Sequence, residues 1–296
     1  MIYAGVEGGG TTWVCVLCKD RVDNIIDKKE FCTRRPEETL VKIRKWLDAR
    51  CFDALGIATF GPIDIKKGSD TWGFILKTPK AYWSFTDVVG ALWNKKCPVK
   101  FDTDVNAPAL SEYLYSNKGE NYAYISVGTG VGVGLVINGK PVHGLLHPEG
   151  GHLLIRKRWN DSFSGICPYH DDCIEGLVSS RAIAKRLGIS YKDLPNLLDD
   201  HPVWDFVAHA IACLCIDLIL IVSPNRIILS GGVMKREILF SKIHLETQKM
   251  LNNYIDHSVL TTDEIKSYII PSKWKNNAGC IGALTLAEIA FNEKII

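Results

Sequence analysis

The stretch 122-YAYISVGTGVGVGLVING-139 decides the fold. The apolar run Tyr122–Val127 reads as a strand, 128-GTGVGVG-134 turns it, residues 135–137 return as a second strand, and Asn138-Gly139 forms a hairpin turn. The start of the chain uses the same device. Residues 2–6 (IYAGV) and 13–18 (WVCVLC) are predicted strands flanking a second glycine-rich turn, 7-EGGGTT-12. Further strands fit Ala54–Thr59, 99–102 and Arg226–Ser230, the last leading into Gly231-Gly232. A helix fits 36–48, with Pro36 at its start, Glu37 and Glu38 in its first turn, and Leu40, Ile43 and Leu47 at helical spacing. Others fit 176–187 and 203–222. Strand–helix alternation with internal duplication predicts a two-lobed α/β protein.

Length and composition agree with this. The chain has 296 residues, enough for two lobes or one large one, and a net charge of +2 with no basic stripe, so no nucleic-acid partner is expected. Its ten cysteines are scattered through apolar segments instead of forming a disulfide framework, which suits a reducing, cytoplasmic location. The opening MIYAGVEGGG lacks the basic and long apolar regions of a signal peptide. The longest apolar run, 203–222, contains Asp205, His209 and Asp217, so it reads as a buried helix with no membrane role. Cys213 and Cys215 point in different directions on it and read as core thiols.

Three constellations carry chemistry. The glycines of 7-EGGGTT-12 let the backbone approach a ligand closely, and their N–H groups can face an anion; 128-GTGVGVG-134 offers the same. Neither is a P-loop, and each joins two strands where a dinucleotide fingerprint would open a helix. Next, 102-DTDVNAPALSEY-113 crowds Asp102, Asp104 and Asn106 at a strand's end, where α/β proteins place ligands. A carboxylate there can accept a hydroxyl proton and Asn106 can bond a polyol; the plainer alternative is a helix N-cap made by Asp104 or Asn106. Last, His152, Cys167, His170 and Cys173 read H-x14-C-x2-H-x2-C. Two thiolates and two imidazoles are what tetrahedral zinc prefers, and four protein ligands mark a structural metal. The alternative is two buried thiols and two unrelated histidines, but Gly165, Pro168, Asp171 and Asp172 make the segment a turn and favour the metal.

Together with these, the motifs 126-SVGTGVGVGLVINGKPVHGLLHPEGGH-152, 165-GICPYHDDCIEGL-177 and 229-LSGGV-233 resemble the ROK group of sugar kinases. The segments 56-GIATFGPID-64, 78-TPKAYW-83 and the Cys-Pro-Tyr-His run make the bacterial-type fructokinases the most similar subgroup. The resemblance implies the actin-like, ribonuclease-H-like ATPase fold: two α/β lobes, 1–106 and 107–282, with a cleft between them and a C-terminal helix at 283–296 that packs back on the first. It implies Asp104 as catalytic base and Asn106, Glu149, His152 and Glu175 as the holders of the sugar's hydroxyls. Gly8, Gly9, Gly10, Thr11 and Thr12, with Gly128, Thr129, Gly130 and Gly132, match the phosphate-binding turns for ATP and Mg2+, and Gly231 and Gly232 match the glycines beside the adenosine. Zn2+ would sit on His152, Cys167, His170 and Cys173, fixing the loop that carries the sugar-binding carboxylates. The implied activity is phosphorylation of a hexose, D-fructose before mannose, glucose or N-acetylmannosamine, by a homodimer.

Four departures from the family pattern stand out. Thr12 replaces the usual Lys, Asp171 replaces a Gly, Pro108 interrupts a run of alanines, and Ser179-Ser180 replaces Ser-Gly. The rival readings come from other classes. A sugar-responsive repressor would need a helix-turn-helix ahead of the strand expected at residue 2. A zinc hydrolase would need an open metal position. A silent sugar sensor has no need of Asp104.

Overall fold

The computed structural model describes residues 1–116 and 119–295. They fall into two compact units, one of Met1–Tyr115, Lys140–Pro148 and the C-terminal stretch from Asn276, the other of Ser116–Gly139 and Glu149–Lys275.

The first unit contains β1 (Ile2–Gly8), β2 (Thr12–Lys19), β3 (Ile25–Cys32), α1 (Pro36–Asp48), β4 (Ala54–Thr59), the short strands β5 (Phe74–Ile75) and β6 (Thr86–Asp87), α2 (Val88–Leu92), β7 (Val99–Thr103) and α3 (Asn106–Leu114). Its sheet runs β3-β2-β1-β4-β7. The first three strands pair antiparallel, while β1–β4 and β4–β7 are parallel. All six residues of β4 are buried, as a strand covered on both faces requires. β3 is the reverse case. Asp27, Lys28, Lys29 and Glu30 fill its middle and none of its residues is buried, so the charged edge strand carries no apolar signal and escapes a sequence reading.

The second unit holds β8 (Tyr122–Val127) and β9 (Val131–Ile137), after which the chain turns at Asn138-Gly139 into β10 (Lys140–Pro141) of the first unit. There follow α4 (Ile174–Val178), α5 (Ser180–Leu187), α6 (Val203–Val222), β11 (Arg226–Ser230), α7 (Ile238–Leu251), α8 (Ser258–Thr261), α9 (Ile265–Tyr268) and β12 (Ile269–Pro271). Within this unit the sheet order is β9-β8-β11-β12, antiparallel for β8–β9 and parallel for the rest. This repeats β2-β1-β4-β7 of the first sheet, so the duplication read from the sequence is a duplication of topology. β9 begins four residues before the expected 135, because Gly132 and Gly134 pair with Ser126 and Tyr124 inside the ladder. Only 128–130 form the turn.

The helix α6 is long and apolar enough to cross a membrane by length and composition, and 56% of that window is buried in the fold. It packs against α7 and α4. Cys213 and Cys215 are both buried on it, as expected of core thiols.

The last helix, α10 (Ala278–Ile295), starts five residues before the expected 283, whereas Ile296 lies outside the described residues. It packs on β1, β4 and α3 of the first unit. The contact with α3 is close, since a Cβ at Gly282 would lie 2.5 Å from the Pro108 nitrogen. α3 therefore sits in the first unit, and the units part after Tyr115 where the sequence reading divides the chain at 106. Pro108 lies in the first turn of α3, where a missing N–H costs no helical bond.

The approach of α10 to the sheet is closer still. A Cβ on Gly56 of β4 would lie 1.9 Å from the Ala283 carbonyl oxygen and 2.6 Å from the Ala287 nitrogen. Both obstacles are backbone, so neither can rotate away. Gly56→Ala should therefore destabilise the protein by about 3 kcal/mol, the upper end of overpacking costs. A urea midpoint that moves by less than the equivalent of about 0.5 kcal/mol would contradict this.

Candidate active site and metal centre

Each glycine turn caps a hairpin at the carboxyl ends of its sheet's parallel strands, the usual place for ligands in α/β sheets. In the first turn Gly8 pairs with Trp13, and a Cβ at Gly8 would lie 2.5 Å from Thr59 Oγ1 and 2.6 Å from the Trp13 ring. The turn's carbonyl oxygens face protein donors. Gly9 O accepts from Thr33 Oγ1 at 2.8 Å, Thr11 O from Thr33 N at 3.0 Å and Thr12 O from Gly9 N at 2.9 Å, while Gly10 O accepts from Lys80 Nζ. With its negative ends engaged in this way, the turn is suited to meet an anion with its amides. Glu7, at the end of β1, accepts from the Cys280 thiol at 3.3 Å, and burial raises its carboxyl above the usual range.

In the second unit the corresponding elements converge. Gly128 N donates to Gly130 O at 2.8 Å and Gly128 O accepts from Ser180 N at 2.7 Å. That bond is backbone to backbone, so Ser serves at 180 as well as Gly would, and Ser179 caps α5 through Ala182 N at 3.3 Å. Glu175, in the first turn of α4, accepts from Val131 N at 3.0 Å, and a Cβ on Gly130 would lie 2.6 Å from that carboxylate oxygen. Gly231, with φ of +96°, turns the end of β11 so tightly that a Cβ would lie 2.4 Å from Val127 O. Gly232 N lies 3.7 Å from where a Cβ on Gly128 would stand. Gly128, Gly130, Gly231, Gly232 and Glu175 thus form one cluster. Gly132 lies inside β9, opposite Ser126, and Thr129 is in the turn itself.

Asp104 follows β7 and its N–H donates to Thr59 O at 3.0 Å, continuing the β4–β7 pairing by one residue. Val105 takes the N-cap position of α3 without a side-chain bond, so the N-cap alternative for Asp104 and Asn106 is not what the helix uses. Asn106 is wholly buried. Its amide nitrogen donates to Asp102 Oδ1 at 2.9 Å and lies 3.4 Å from His143 Nε2. His143 Nε2 in turn is 2.9 Å from Asp102 Oδ2. His143 has no role legible in the sequence, since it lies 37 positions after Asn106 and carries no spacing signal. His147, buried nearby in the chain, accepts from Ile63 N at 3.0 Å, and burial lowers its pKa.

The four expected metal ligands do come together. Their nearest donor atoms all lie within 4.8 Å of one another. His152 Nδ1 is 3.7 Å from Cys167 Sγ and 3.6 Å from Cys173 Sγ, and His170 Nδ1 is 3.7 Å from Cys167 Sγ. Bond lengths of zinc to sulfur and nitrogen imply a tetrahedral S···N edge of about 3.5 Å, so donor types and spacing both fit such a metal. The loop geometry is set by backbone pairing. Cys167 and Asp171 exchange two N–H···O bonds of 3.0 Å each, and Cys173 bridges to Leu154, which follows His152 closely. Asp171 has φ of +45°, the left-handed region that Asp tolerates better than most residues. Burial pushes the Cys173 thiol up to about 11, and binding a metal would reverse that by taking the thiolate.

Glu149 sits three residues before His152, and Glu175 two after Cys173. Surrounding protein and then the Glu175 carboxylate push the Glu149 carboxyl up to about 7, although the residue keeps an exposed edge where water works against the shift. Near neutral pH the Glu149 carboxyl can then serve hydroxyl groups as donor or as acceptor.

The ROK family profile matches residues 3–289. A fructokinase of Lactococcus lactis subsp. cremoris is 37% identical over 296 residues, covering 99% of this chain and 99% of its own length. One from Zymomonas mobilis subsp. mobilis is 37% identical over 302 residues, covering 99% and 98%. Among solved structures, a ROK family glucokinase from Streptomyces griseus in complex with glucose and AMPPNP aligns with a TM-score of 0.75 at 21% identity, covering 98% of this chain and 100% of that one. That likeness carries the fold, the two-lobed actin-like ATPase architecture. With a family match across nearly its whole length and relatives above 30% identity, the chain belongs to the ROK family.

Proposed function

We propose that this protein is an ATP-dependent hexose kinase whose preferred acceptor is D-fructose, phosphorylated at its primary 6-hydroxyl. The observation that carries the reading is the 37% identity to fructokinases over 99% of the chain. The placement of Asp104 and both glycine turns at strand ends supports it. Asp104 accepts the proton of the 6-hydroxyl as that oxygen attacks the γ-phosphorus; the bond to the β,γ-bridging oxygen breaks and ADP leaves. Asn106, Glu149, His152 and Glu175 hold the remaining hydroxyls. Gly8 to Thr12 and the segment from Gly128 to Gly132 bind the phosphates, and Gly231 and Gly232 lie beside the adenosine. Magnesium, bound with the nucleotide, neutralises charge on the phosphates. His152, Cys167, His170 and Cys173 would hold zinc in a closed shell, as a clamp for the loop and not as a reacting centre. Catalysis of this kind is chiefly positioning and charge stabilisation. A homodimer working in the cytoplasm completes the reading.

The test is kcat/KM for fructose, mannose, glucose and N-acetylmannosamine with MgATP, the phosphorylated carbon being located by NMR. A hydroxyl that leaves a site carboxylate without its partner should cost on the order of 1–3 kcal/mol, so fructose should lead by about tenfold or more. If glucose or an N-acetylated sugar wins by that margin, the fructose assignment falls and the kinase mechanism around Asp104 stands.

A further inference from the structure

Thr12 follows the three glycines and Thr11 of the first turn, and a turn built from backbone amides alone lacks a full positive charge for a polyphosphate. The structure brings a lysine there from a distant part of the chain. Lys80 Nζ donates to the Gly10 carbonyl, 70 positions away, at the tip of the turn. A Cβ added at Gly10 would meet nothing within 4 Å, so this tip is open to a ligand.

The segment that carries Lys80 is clamped to the turn. Trp83 is fully buried and stacks on Trp13, the residue after Thr12, with ring centroids 5.1 Å apart and planes 19° apart. Phe60 packs edge-on against both rings, at 6.3 Å from Trp13 and 5.5 Å from Trp83. The Trp83 indole N–H donates to Arg34 O at 2.8 Å, and Trp83 N donates to Lys80 O at 3.1 Å. The same Trp13 ring lies under Gly8. Turn and lysine therefore share one aromatic footing, and the ammonium is held at the turn at small entropic cost.

We propose that Lys80 is the phosphate-binding cation of the first glycine turn, supplying from the 78–83 loop the charge that Thr12 does not. The inference rests on the kinase reading above. Lys80 contacts the donor's phosphates and not the sugar, so its effects belong to nucleotide binding.

The experiment measures ADP affinity by titration calorimetry alongside ATP and fructose KM, for the wild type, Lys80→Met, Lys80→Gln and Lys80→Met with Thr12→Lys. Lys80→Met keeps the apolar stem and removes the charge. It should weaken ADP binding and raise ATP KM by about 10- to 100-fold, the range of a charge-assisted hydrogen bond, with fructose KM within about twofold. Lys80→Gln can still donate to Gly10 O, so it separates charge from tethering; it should behave like Lys80→Met. Thr12→Lys should recover at least part of the loss. If Lys80→Met or Lys80→Gln binds ADP within about twofold of the wild type, the inference is overturned. If fructose KM and melting temperature move with ATP KM, Lys80 is only a structural tie and the inference is equally lost. Should Lys80→Met fail to fold, Lys80→Gln decides. A wild type that binds ADP yet phosphorylates no hexose overturns the kinase reading, and the ADP titrations still judge Lys80; a wild type that binds no nucleotide overturns both.

Discussion

Asp104→Asn should lower kcat by roughly 10²–10⁴-fold, the usual contribution of a positioned general base. That corresponds to about 3–5 kcal/mol of transition-state stabilisation. The substitution keeps the size of the side chain and leaves the backbone bond from Asp104 N to Thr59 O intact, so strand pairing and fold should survive. What disappears is an oxygen able to take the proton of the attacking hydroxyl. Because a proton acceptor acts in the transition state and not in binding, fructose and ATP KM should change little. Steady-state kinetics check this directly, and a variant that turns over at more than about a tenth of the wild-type rate would remove Asp104 from the mechanism.

The second large effect concerns the metal. Purified protein should contain about one zinc per chain by elemental analysis. Cys173→Ser should lose it, since coordination needs the thiolate and even outer contacts shift metal affinity by roughly 10–100-fold. The consequence follows from where the ligands sit. Cys173 is the residue before α4, whose first turn carries Glu175, and His152 closes the short turn that begins at Glu149, its N–H donating to Glu149 O at 3.0 Å. Without the clamp both carboxylates lose their support. Melting temperature should fall and fructose KM should rise. Chelation of the wild type should reproduce both changes. Metal-free protein with an unaltered fructose KM would show that the cluster does not order the sugar-binding loop.

Much of this molecule is legible in single stretches of sequence. The helix at 36–48, the strands at 54–59, 122–127 and 226–230, and the apolar helix at 203–222 stand where the pattern of residues places them. Their signals are local: alternating or helical spacing of apolar side chains, proline at a first turn, glycine at a hairpin. The four Cys and His residues are legible for a related reason: three of them fall in one short turn, and few uses other than a metal call for that donor set. β3 is hidden, since an edge strand with a charged outer face resembles a loop. The bounds of 128–134 are hidden too, because glycine marks a turn and a close strand contact alike, and Gly132 is in the latter.

The sequence by itself determined the element pattern, the two glycine turns and the Cys and His set of the 165–173 turn, all of them consequences of neighbouring residues and backbone preference. Only the tertiary structure decided that Lys80 reaches Gly10, that Glu175 braces the second turn through Val131 N, and that α10 packs on Gly56 with no room for a methyl group. It also decided that Asp171 adopts the left-handed conformation. The physical reason is range. Spacing reports what a residue does to its own turn of helix or strand, whereas these features depend on which distant side chain fills the space beside it, and that is settled when the sheets and helices pack.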